Sequence, residues 1–281
     1  MTAVGLATWE GLPELSPDDQ LLRATLRSDG IPATPVVWSD TAVRWEAFDL
    51  VVLRSTWDYY RRMTEFLEWV DTVARRTQLF NPASTVRWNS HKSYLKDLER
   101  LGVPIIPTVW GSEVASATDT LRARGWEAGV LKPAVSAAGV GAARITVGDR
   151  EGNETAFRRL RNEGEVLLQP YLPGVDDPGE HSLVFLDGEY SHAALKAPKL
   201  SPGSSLREGV PVVATRKELA VAERALRAVP QPTLYARVDL VTDRAGDPRV
   251  MELEVIEPSL FLEAEAAAAG QLARAIERRL R

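Results

Sequence analysis

The chain has 281 residues, of which 44% are hydrophobic and 26% are charged, and it contains no cysteine. This composition suits one large or two to three small globular domains, and it excludes disulfides, thiolate catalysis and Cys-ligated zinc. The net charge of −5 argues against a nucleic-acid partner, because phosphate binding needs a basic surface. The N-terminus has no signal-peptide pattern and no apolar run reaches the roughly 20 residues of a membrane span, so we expect a cytoplasmic protein without a membrane partner.

The first 88 residues alternate strand and helix signals. Ser16 followed by Pro17 is typical of a helix start, and Thr64 is predicted to cap a second helix that ends near Arg76. Short apolar runs predict strands at 4–7, 35–38, 49–53 and 78–80. This rhythm predicts an N-terminal α/β domain over residues 1–88, built on an open and mostly parallel sheet.

The rest of the chain predicts two smaller α+β domains. A helix over 90–101 opens a central domain at 89–168, and its part from about 107 to 168 is predicted to form a lid. Helices are predicted there at 113–124 and 154–163, and strands at 129–132, 143–147 and 166–169. The C-terminal domain, 169–281, is predicted to hold two strands around the turn at Asp187-Gly188, a helix opened by the capping box of Thr215, strands at 235–241 and 249–256, and a terminal helix.

A lysine at a strand end is followed by a loop of small residues. Lys132 ends the predicted strand, and the loop 134–141 includes Ser136 and Gly139. Exposed backbone N–H groups in such a loop can cradle phosphate, and the lysine adds a point charge. Taken alone, the same pattern also fits an ordinary flexible hairpin.

The segment 167–174 combines an apolar strand with an extended, proline-containing stretch. Backbone groups around Gln169, Tyr171 and Leu172 can pair with a purine edge, although an interdomain linker would have the same pattern. Glu180 follows this segment and can accept hydrogen bonds from ribose hydroxyls. Lys196 stands at the end of an alternating strand, where it can reach a phosphate or remain solvated.

Three acids and an arginine lie on two strands that a hairpin joins. Alternate residues of a strand share a face, so Glu252 projects with Glu254, and Arg237 with Asp239. If the two faces coincide, three carboxylates converge, and hard oxygen ligands of this kind suit Mg²⁺ bridged to phosphates. The alternative is a half-exposed sheet that presents a solvated acidic face.

The order of these features resembles the ATP-grasp superfamily. Lys92, in a predicted helix after the N-terminal sheet, comes first in that order. The resemblance covers the whole chain and implies an ATP-grasp fold, in which a lid domain and a C-terminal sheet domain cradle ATP. It implies that the lysines bind the phosphates, that the segment at Gln169 holds adenine, and that Asp239, Glu252 and Glu254 ligate Mg²⁺. It also implies catalytic roles for Arg237 and Lys196.

A narrower resemblance concerns four motifs. They are Leu53-Arg54-Ser55-Thr56-Trp57-Asp58-Tyr59, Asn81-Pro82, Trp88-Asn89-x-x-Lys92-x-Tyr94-Leu95, and Glu252 to Phe261. They are similar to motifs of the cyclo-ligases that make D-cycloserine from O-ureido-D-serine. This resemblance implies a role in antibiotic biosynthesis and an amino-acid-like carboxylate as substrate.

A substrate site is predicted between the domains. Arg54 follows the third strand of a parallel sheet, and ligands bind at the carboxyl ends of such strands, so Arg54 is predicted to clamp a carboxylate. Asp58 and Tyr59 are predicted to fix an amino group, and Glu257 and Ser259 to face the same cleft. Alternatively, the aromatic residues belong to the core and Arg54 pairs with Asp58.

The sequence therefore predicts an ATP- and Mg²⁺-dependent ligase that activates a carboxylate as an acyl phosphate and forms a carbon–nitrogen bond, releasing ADP and phosphate. A small-molecule kinase of the same fold and a non-catalytic ATP-binding module remain alternatives. A dinucleotide oxidoreductase is disfavoured, because no glycine-rich turn follows the first strand. The sequence leaves a homodimer open.

Overall fold

The structure is a computed structural model that describes residues 3–137, 139–197, 200 and 209–281. Within these residues the chain forms three sheets, one parallel and two antiparallel. The predicted combination of α/β and α+β architecture is confirmed. One residue of the predicted small-residue loop, Ala138, lies outside the described residues.

The N-terminal sheet has the strand order β2-β1-β3-β4 and is parallel throughout. Its strands are β1 (Val4–Thr8), β2 (Ala33–Val37), β3 (Leu50–Ser55) and β4 (Gln78–Phe80), and its helices are α1 (Pro17–Ser28) and α2 (Met63–Arg76). Every residue of β1 and β3 is buried, as expected for parallel strands that are covered on both faces. The predicted cap of α2 at Thr64 is wrong, because the helix already begins at Met63 and Arg62 stands at its N-cap without a side-chain bond.

The helix predicted over 90–101 is shorter than expected, and a separate helix that was not predicted precedes it. Helix α3 covers Ala83–Asn89 and α4 covers Tyr94–Arg100. Between them the Lys92 backbone N–H donates to the carbonyl of Ala134 at 2.8 Å, so this turn pairs with another segment and does not continue the helix. Lys92 therefore lies in a turn and not in a helix.

The central sheet has the order β5-β8-β6-β7 and encloses a core of its own with two helices. Its elements are β5 (Val109–Trp110), α5 (Ala117–Ala123), β6 (Ala128–Pro133), β7 (Ala143–Thr146), α6 (Arg150–Glu163) and β8 (Val166–Pro170). Both helix starts differ from the prediction because of caps. Ser116 accepts from the Asp119 N–H, and Asp149 accepts from the Gly152 N–H.

The C-terminal sheet has the order β11-β10-β9-β12-β13. Its elements are β9 (Glu180–Leu186), β10 (Glu189–Lys196), β11 (Pro211–Val212), α7 (Arg216–Leu226), β12 (Tyr235–Thr242), β13 (Pro248–Glu254) and α8 (Ala268–Arg279). The predicted capping box is present, with Thr215 and Glu218 bonded reciprocally. In the β12–β13 pair, Asp239 stands opposite Glu252 and Arg237 opposite Glu254. The two polar faces therefore coincide.

Two hydrophobic cores hold helices against the C-terminal and N-terminal sheets. Helices α4 and α7 pack on one face of the C-terminal sheet, with Leu98 and Ala222 in their shared core. A second core joins α1 and α8 to the N-terminal sheet through residues such as Leu22 and Ile276. Across the described residues, no helix combines the length and the apolar character that a membrane crossing requires.

Candidate active site

A cavity opens between the central sheet and the C-terminal sheet. The nine residues predicted to bind the nucleotide all line it: Lys92, Lys132, Ser136, Gly139, Gln169, Tyr171, Leu172, Glu180 and Lys196. They come from four different parts of the chain, and strand pairing within each sheet brings them to one place. The structure thus gathers the complete predicted set around one space.

Aliphatic side chains form further walls of this cavity. Ile106, Val130, Val175 and Met251 line it, and they come from four separate segments. A slot between such side chains suits a flat, apolar ring. Sequence reasoning missed them, because a single aliphatic residue on a strand or loop carries no signal that distinguishes it from core.

Two buried acceptors of the cavity lack hydrogen-bond donors among the described residues. They are Gln169 Oε1 and Glu180 Oε2. The amide nitrogen of Gln169 donates to Thr108 Oγ1 at 2.9 Å, which leaves its oxygen free to face the cavity. Lys196 Nζ lies 3.6 Å from Glu180 Oε2, too far for a hydrogen bond. Buried acceptors are costly without a donor, so the pair predicts a ligand with N–H and O–H groups.

Three lysines surround one end of the cavity. Lys92 Nζ donates to Ser136 Oγ at 3.1 Å and lies 3.2 Å from Glu252 Oε1. Burial lowers the pKa of Lys132, although Glu252 opposes this effect. Burial alone would also lower the pKa of Lys196, but Asp239, Glu180 and Glu254 together outweigh burial and raise it. The lysines create a positive region suited to phosphate groups.

The three predicted metal-binding acids converge. One carboxylate oxygen from each of Asp239, Glu252 and Glu254 lies within 4.8 Å of the other two. Asp239 is fully buried, and it accepts from Ser182 Oγ at 2.7 Å and from Lys196 Nζ at 2.5 Å. Burial would raise the pKa of Asp239, but adjacent cations hold it well below its usual range. Asp239 is therefore an anion in this cluster.

Arg237 binds two of these acids at once. Its guanidinium lies 2.8 Å from Asp239 Oδ1 and 2.5 Å from Glu254 Oε1. Burial raises the pKa of Glu254, and Arg237 opposes that rise. Burial would likewise raise the pKa of Glu252, but Lys92 and Lys196 outweigh burial and lower it. The three carboxylates on this face of the C-terminal sheet thus pair with Lys92, Lys196 and Arg237.

A second, smaller cavity adjoins the first. It is lined by Tyr59, Asn89, Ser90, Lys92, Tyr94, Ala134, Ser136, Ala137, Glu252, Leu253, Glu254 and Glu257. Lys92, Ser136 and Glu252 line both cavities and form the boundary between them. Burial and the neighbouring Glu254 raise the pKa of Glu257 to about 8. Sequence reasoning placed Tyr59 and Glu257 at the substrate site, but did not assign Asn89, Ser90 and Tyr94 to it.

The structure does not bring Arg54, which was predicted to clamp a substrate carboxylate, to either cavity. Arg54 is 1% exposed and lines neither cavity. Its Nε donates to Asp19 Oδ1 at 2.6 Å, its Nη2 donates to the Pro258 carbonyl at 2.9 Å, and its guanidinium lies over the Tyr235 ring. The side chain therefore turns into the protein, towards an acid that α1 presents.

Asp58 and Ser259 do not line the smaller cavity either. Asp58 accepts from the Trp38 indole N–H at 2.8 Å and lies 3.9 Å from Arg62, so it does not pair with Arg54. The Ser259 carbonyl accepts from Arg237 Nη1 at 3.0 Å, and this residue contributes through its backbone. Of the five predicted substrate residues, the structure brings only Tyr59 and Glu257 to a cavity.

Comparison with known proteins identifies the family. A family model described as the N-terminal domain of the D-cycloserine synthetase DcsG matches residues 4–81. The cycloserine biosynthesis protein DcsG of Streptomyces lavendulae is 36% identical over 274 residues, which cover 91% of each chain. The chain belongs to the D-cycloserine synthetase family. The predicted assignment to an antibiotic-biosynthesis family of ligases is thereby confirmed.

Solved structures of ATP-grasp ligases agree with this assignment. The crystal structure of D-cycloserine synthetase DcsG matches with a TM-score of 0.90 and 34% identity, covering 99% of this chain and 100% of that one. D-alanyl-alanine synthetase A of Vibrio cholerae matches with a TM-score of 0.73 at 15% identity, over 99% and 98% of the two chains, and shares the fold. The chain is thus an ATP-grasp ligase, an enzyme that forms a carbon–nitrogen bond.

Proposed function

We propose that this ligase activates a small amino-acid carboxylate with ATP and closes a ring within the same molecule, as D-cycloserine synthetase does with O-ureido-D-serine. The observation that carries the proposal is the pair of adjoining cavities, one with nucleotide-binding features and one with a carboxyl-rich wall, which share Lys92, Ser136 and Glu252. The family relationship supports the choice of substrate class.

In this proposal ATP occupies the larger cavity. The aliphatic walls sandwich the adenine, and Gln169 Oε1 accepts from its exocyclic amino group. Glu180 Oε2 accepts from a ribose hydroxyl, so both buried acceptors gain donors. The phosphates then extend towards Lys132, Lys92 and Lys196, where the loop residues Ser136 and Gly139 add polar backbone groups.

The acid cluster fits Mg²⁺, because its members are carboxylates that converge within ligand-sharing distance. Asp239, Glu252 and Glu254 would hold the ion, and Glu254 takes the place of the asparagine that ATP-grasp enzymes often have. When bound, Mg²⁺ supplies charge neutralisation for the terminal phosphates. Arg237 and Lys196 keep the carboxylates in place and add positive charge where the transferred phosphoryl group passes.

The substrate occupies the smaller cavity, across the shared boundary from the terminal phosphate. A substrate carboxylate oxygen attacks the γ-phosphorus in line, and the bond to the β–γ bridging oxygen breaks, which gives an acyl phosphate and ADP. A nitrogen of the same substrate then attacks the acyl carbon and gives up a proton, while the carbon–oxygen bond to phosphate breaks and phosphate leaves with its electron pair. Positioning and charge stabilisation account for the rate, since no nucleophilic side chain is required.

The central sheet and its helices are proposed to act as the lid. Residues 107–168 contribute one wall of the nucleotide cavity through Val130 and Lys132, while the opposite wall belongs to residues 169–281. Movement of the central sheet would open and close the cavity, and closure would protect the acyl phosphate from water.

The reaction products test the proposal directly. With ATP, Mg²⁺ and O-ureido-D-serine as the only organic substrate, we expect equal amounts of ADP, phosphate and D-cycloserine. The carbamoyl group of the substrate, removed from the ring nitrogen by water, should appear as carbon dioxide and ammonia. Hydroxylamine should intercept the acyl phosphate and give a hydroxamate. Formation of AMP, or a requirement for a second amine substrate, would contradict intramolecular acyl-phosphate chemistry. A stable phosphorylated alcohol would point to the alternative, a kinase.

Nucleotide binding provides a separate prediction. Replacing Lys132 with alanine removes a buried cation from the phosphate end of the cavity. We expect the dissociation constant for the Mg²⁺ complex of a non-hydrolysable ATP analogue to rise about 10- to 100-fold, the range of one charge-assisted hydrogen bond. Calorimetry measures this constant, and Lys217→Ala, at an exposed lysine, serves as the control. Unchanged affinity in Lys132→Ala would exclude this lysine from the site.

A further inference from the structure

Glu257 is an acid without a cation of its own. It lines the smaller cavity and is 7% exposed, yet no lysine or arginine of the described part of the chain forms an ion pair with it. The two other acids of this wall are paired, Glu252 with Lys92 at 3.2 Å and Glu254 with Arg237 at 2.5 Å. Among the described residues, Glu257 is therefore the acid of this wall that has no ion-pair partner.

Bonds to the backbone hold Glu257 in place. The strap, defined as residues 257–262, follows β13 and crosses beside the N-terminal sheet. The Trp57 indole N–H donates to the Glu257 carbonyl at 3.1 Å, and Arg54 donates to the next carbonyl, that of Pro258. Arg237 donates to the carbonyl of Ser259 at 3.0 Å. Three consecutive carbonyls of the strap are thus fixed by three side chains.

The second half of the strap is held from two further elements. The Asp18 carboxylate accepts from the Leu260 N–H at 2.8 Å and from the Leu262 N–H at 2.5 Å. The His192 ring bonds to the carbonyl of Leu260 at 2.9 Å. A backbone secured at this many points leaves the Glu257 side chain little freedom to move away from the cavity, so its position there is built into the fold.

A charged carboxylate in this position is costly unless a cation joins it. Burial together with repulsion from Glu254 and Glu252 disfavours its charged form. Tyr59 and Tyr94, which also line the cavity, are neutral side chains and cannot compensate it. An ammonium group carried by the ligand would supply the missing charge and form a charge-assisted hydrogen bond in a desolvated site.

We infer that Glu257 determines substrate specificity by binding the ammonium group of an amino-acid substrate, and that Trp57 and Arg54 position it through the strap. This inference rests on the proposed function, because it places the substrate in the smaller cavity. It assigns to Glu257 the amino-group recognition that the sequence suggested for Asp58. The substrate class is accordingly an α-amino acid with its amino group free and protonated.

The test compares two compounds that differ in one group. O-ureido-D-serine carries the ammonium group, and its desamino analogue has hydrogen there. Binding of each is measured by calorimetry with Mg²⁺ and a non-hydrolysable ATP analogue, and ADP release is measured with ATP. We expect the wild-type enzyme to prefer the amino acid by about 10- to 100-fold, and Glu257→Gln to lose most of this preference. Glu263→Gln, an exposed acid beyond the strap, is the matched control and should keep it.

A second variant addresses the positioning role. Trp57→Phe removes the indole N–H that bonds to the Glu257 carbonyl, and it should lower the preference partially through KM while kcat for the amino acid changes less. Equal affinity of the wild-type enzyme for both compounds, absence of binding for both, or an unchanged preference in Glu257→Gln would overturn the inference. Absence of ADP release from a compound that binds with the expected preference would instead contradict the proposed cyclo-ligation, since calorimetry needs no turnover.

Discussion

Replacing Glu252 with glutamine is expected to reduce turnover by about 10³-fold or more, a loss of roughly 4 kcal/mol of transition-state stabilisation. Glu252 lies on the boundary of both cavities and in the converging acid cluster, where the phosphoryl group would cross between ATP and the substrate. Glutamine has the same shape, but it is a neutral and weak ligand for a hard cation. ADP release at saturating substrate measures the loss.

The same variant distinguishes a loss of catalysis from a loss of folding stability. Lys92 and Lys196 both lower the pKa of Glu252, so the wild-type side chain is charged. The variant removes this negative charge and leaves an excess of positive charge at the site. Because the Glu252 side chain is 25% exposed, we expect the thermal midpoint to fall much less than in Arg54→Met, and the Mg²⁺ concentration needed for residual activity to increase. The control Glu263→Gln changes an exposed acid and should retain full activity. A Glu252→Gln enzyme with wild-type turnover and Mg²⁺ dependence would exclude the acid cluster as the metal site.

The nucleotide cavity could be predicted from the sequence because its signals are local. Lys132 ends a strand before a small-residue loop, and Glu252 and Glu254 alternate on one strand beside the partner that carries Asp239. A hairpin fixes the register of two neighbouring strands, so their polar faces could be aligned without knowledge of the remaining fold. Strand periodicity and one hairpin connection were enough to predict these features.

The role of Arg54 could not be predicted in this way. It does lie near the carboxyl end of the parallel strand β3, and the rule that ligands bind at such ends predicted a ligand site. Its partner Asp19 lies 35 residues earlier, on a helix whose rotation about its axis the sequence does not specify. The aliphatic walls of the nucleotide cavity were missed for a related reason, since they meet only when the central and C-terminal sheets are assembled.

Two of the motifs that resemble the family, those containing Asn81 and Asn89, have a structural role that could not be predicted from the sequence. Asn81 donates to the carbonyls of Tyr235 and Val255, and Asn89 pairs with both Leu253 and Val255 of the metal-binding hairpin. Asparagine can donate and accept at once, so each side chain stands in for a missing neighbouring strand. These motifs hold the site in position, and only part of them touches the cavities.

Replacing Arg54 with methionine is expected to destabilise the fold by about 3–5 kcal/mol, because it leaves the carboxylate of Asp19 buried without its cation. Both side chains are 1% exposed, and Asp19 also accepts from Ser16 and Ser55, which hold it in the interior. For a chain of this size the thermal midpoint should fall by about 6 °C or more. Differential scanning calorimetry measures the change, and Arg27→Met, at an exposed arginine of α1, is the control.

A double variant identifies the cause of that loss. Combining Arg54→Met with Asp19→Asn removes the uncompensated charge and keeps the hydrogen bonds to the two serines, so about half of the lost stability should return. If Arg54 instead bound the substrate carboxylate, Arg54→Met would raise KM and leave the thermal midpoint of the free enzyme unchanged. The ion pair with Asp19 predicts the reverse, a large loss of stability and a small change in KM. The small change in KM would come from the strap, because the Pro258 carbonyl loses the hydrogen bond from Arg54.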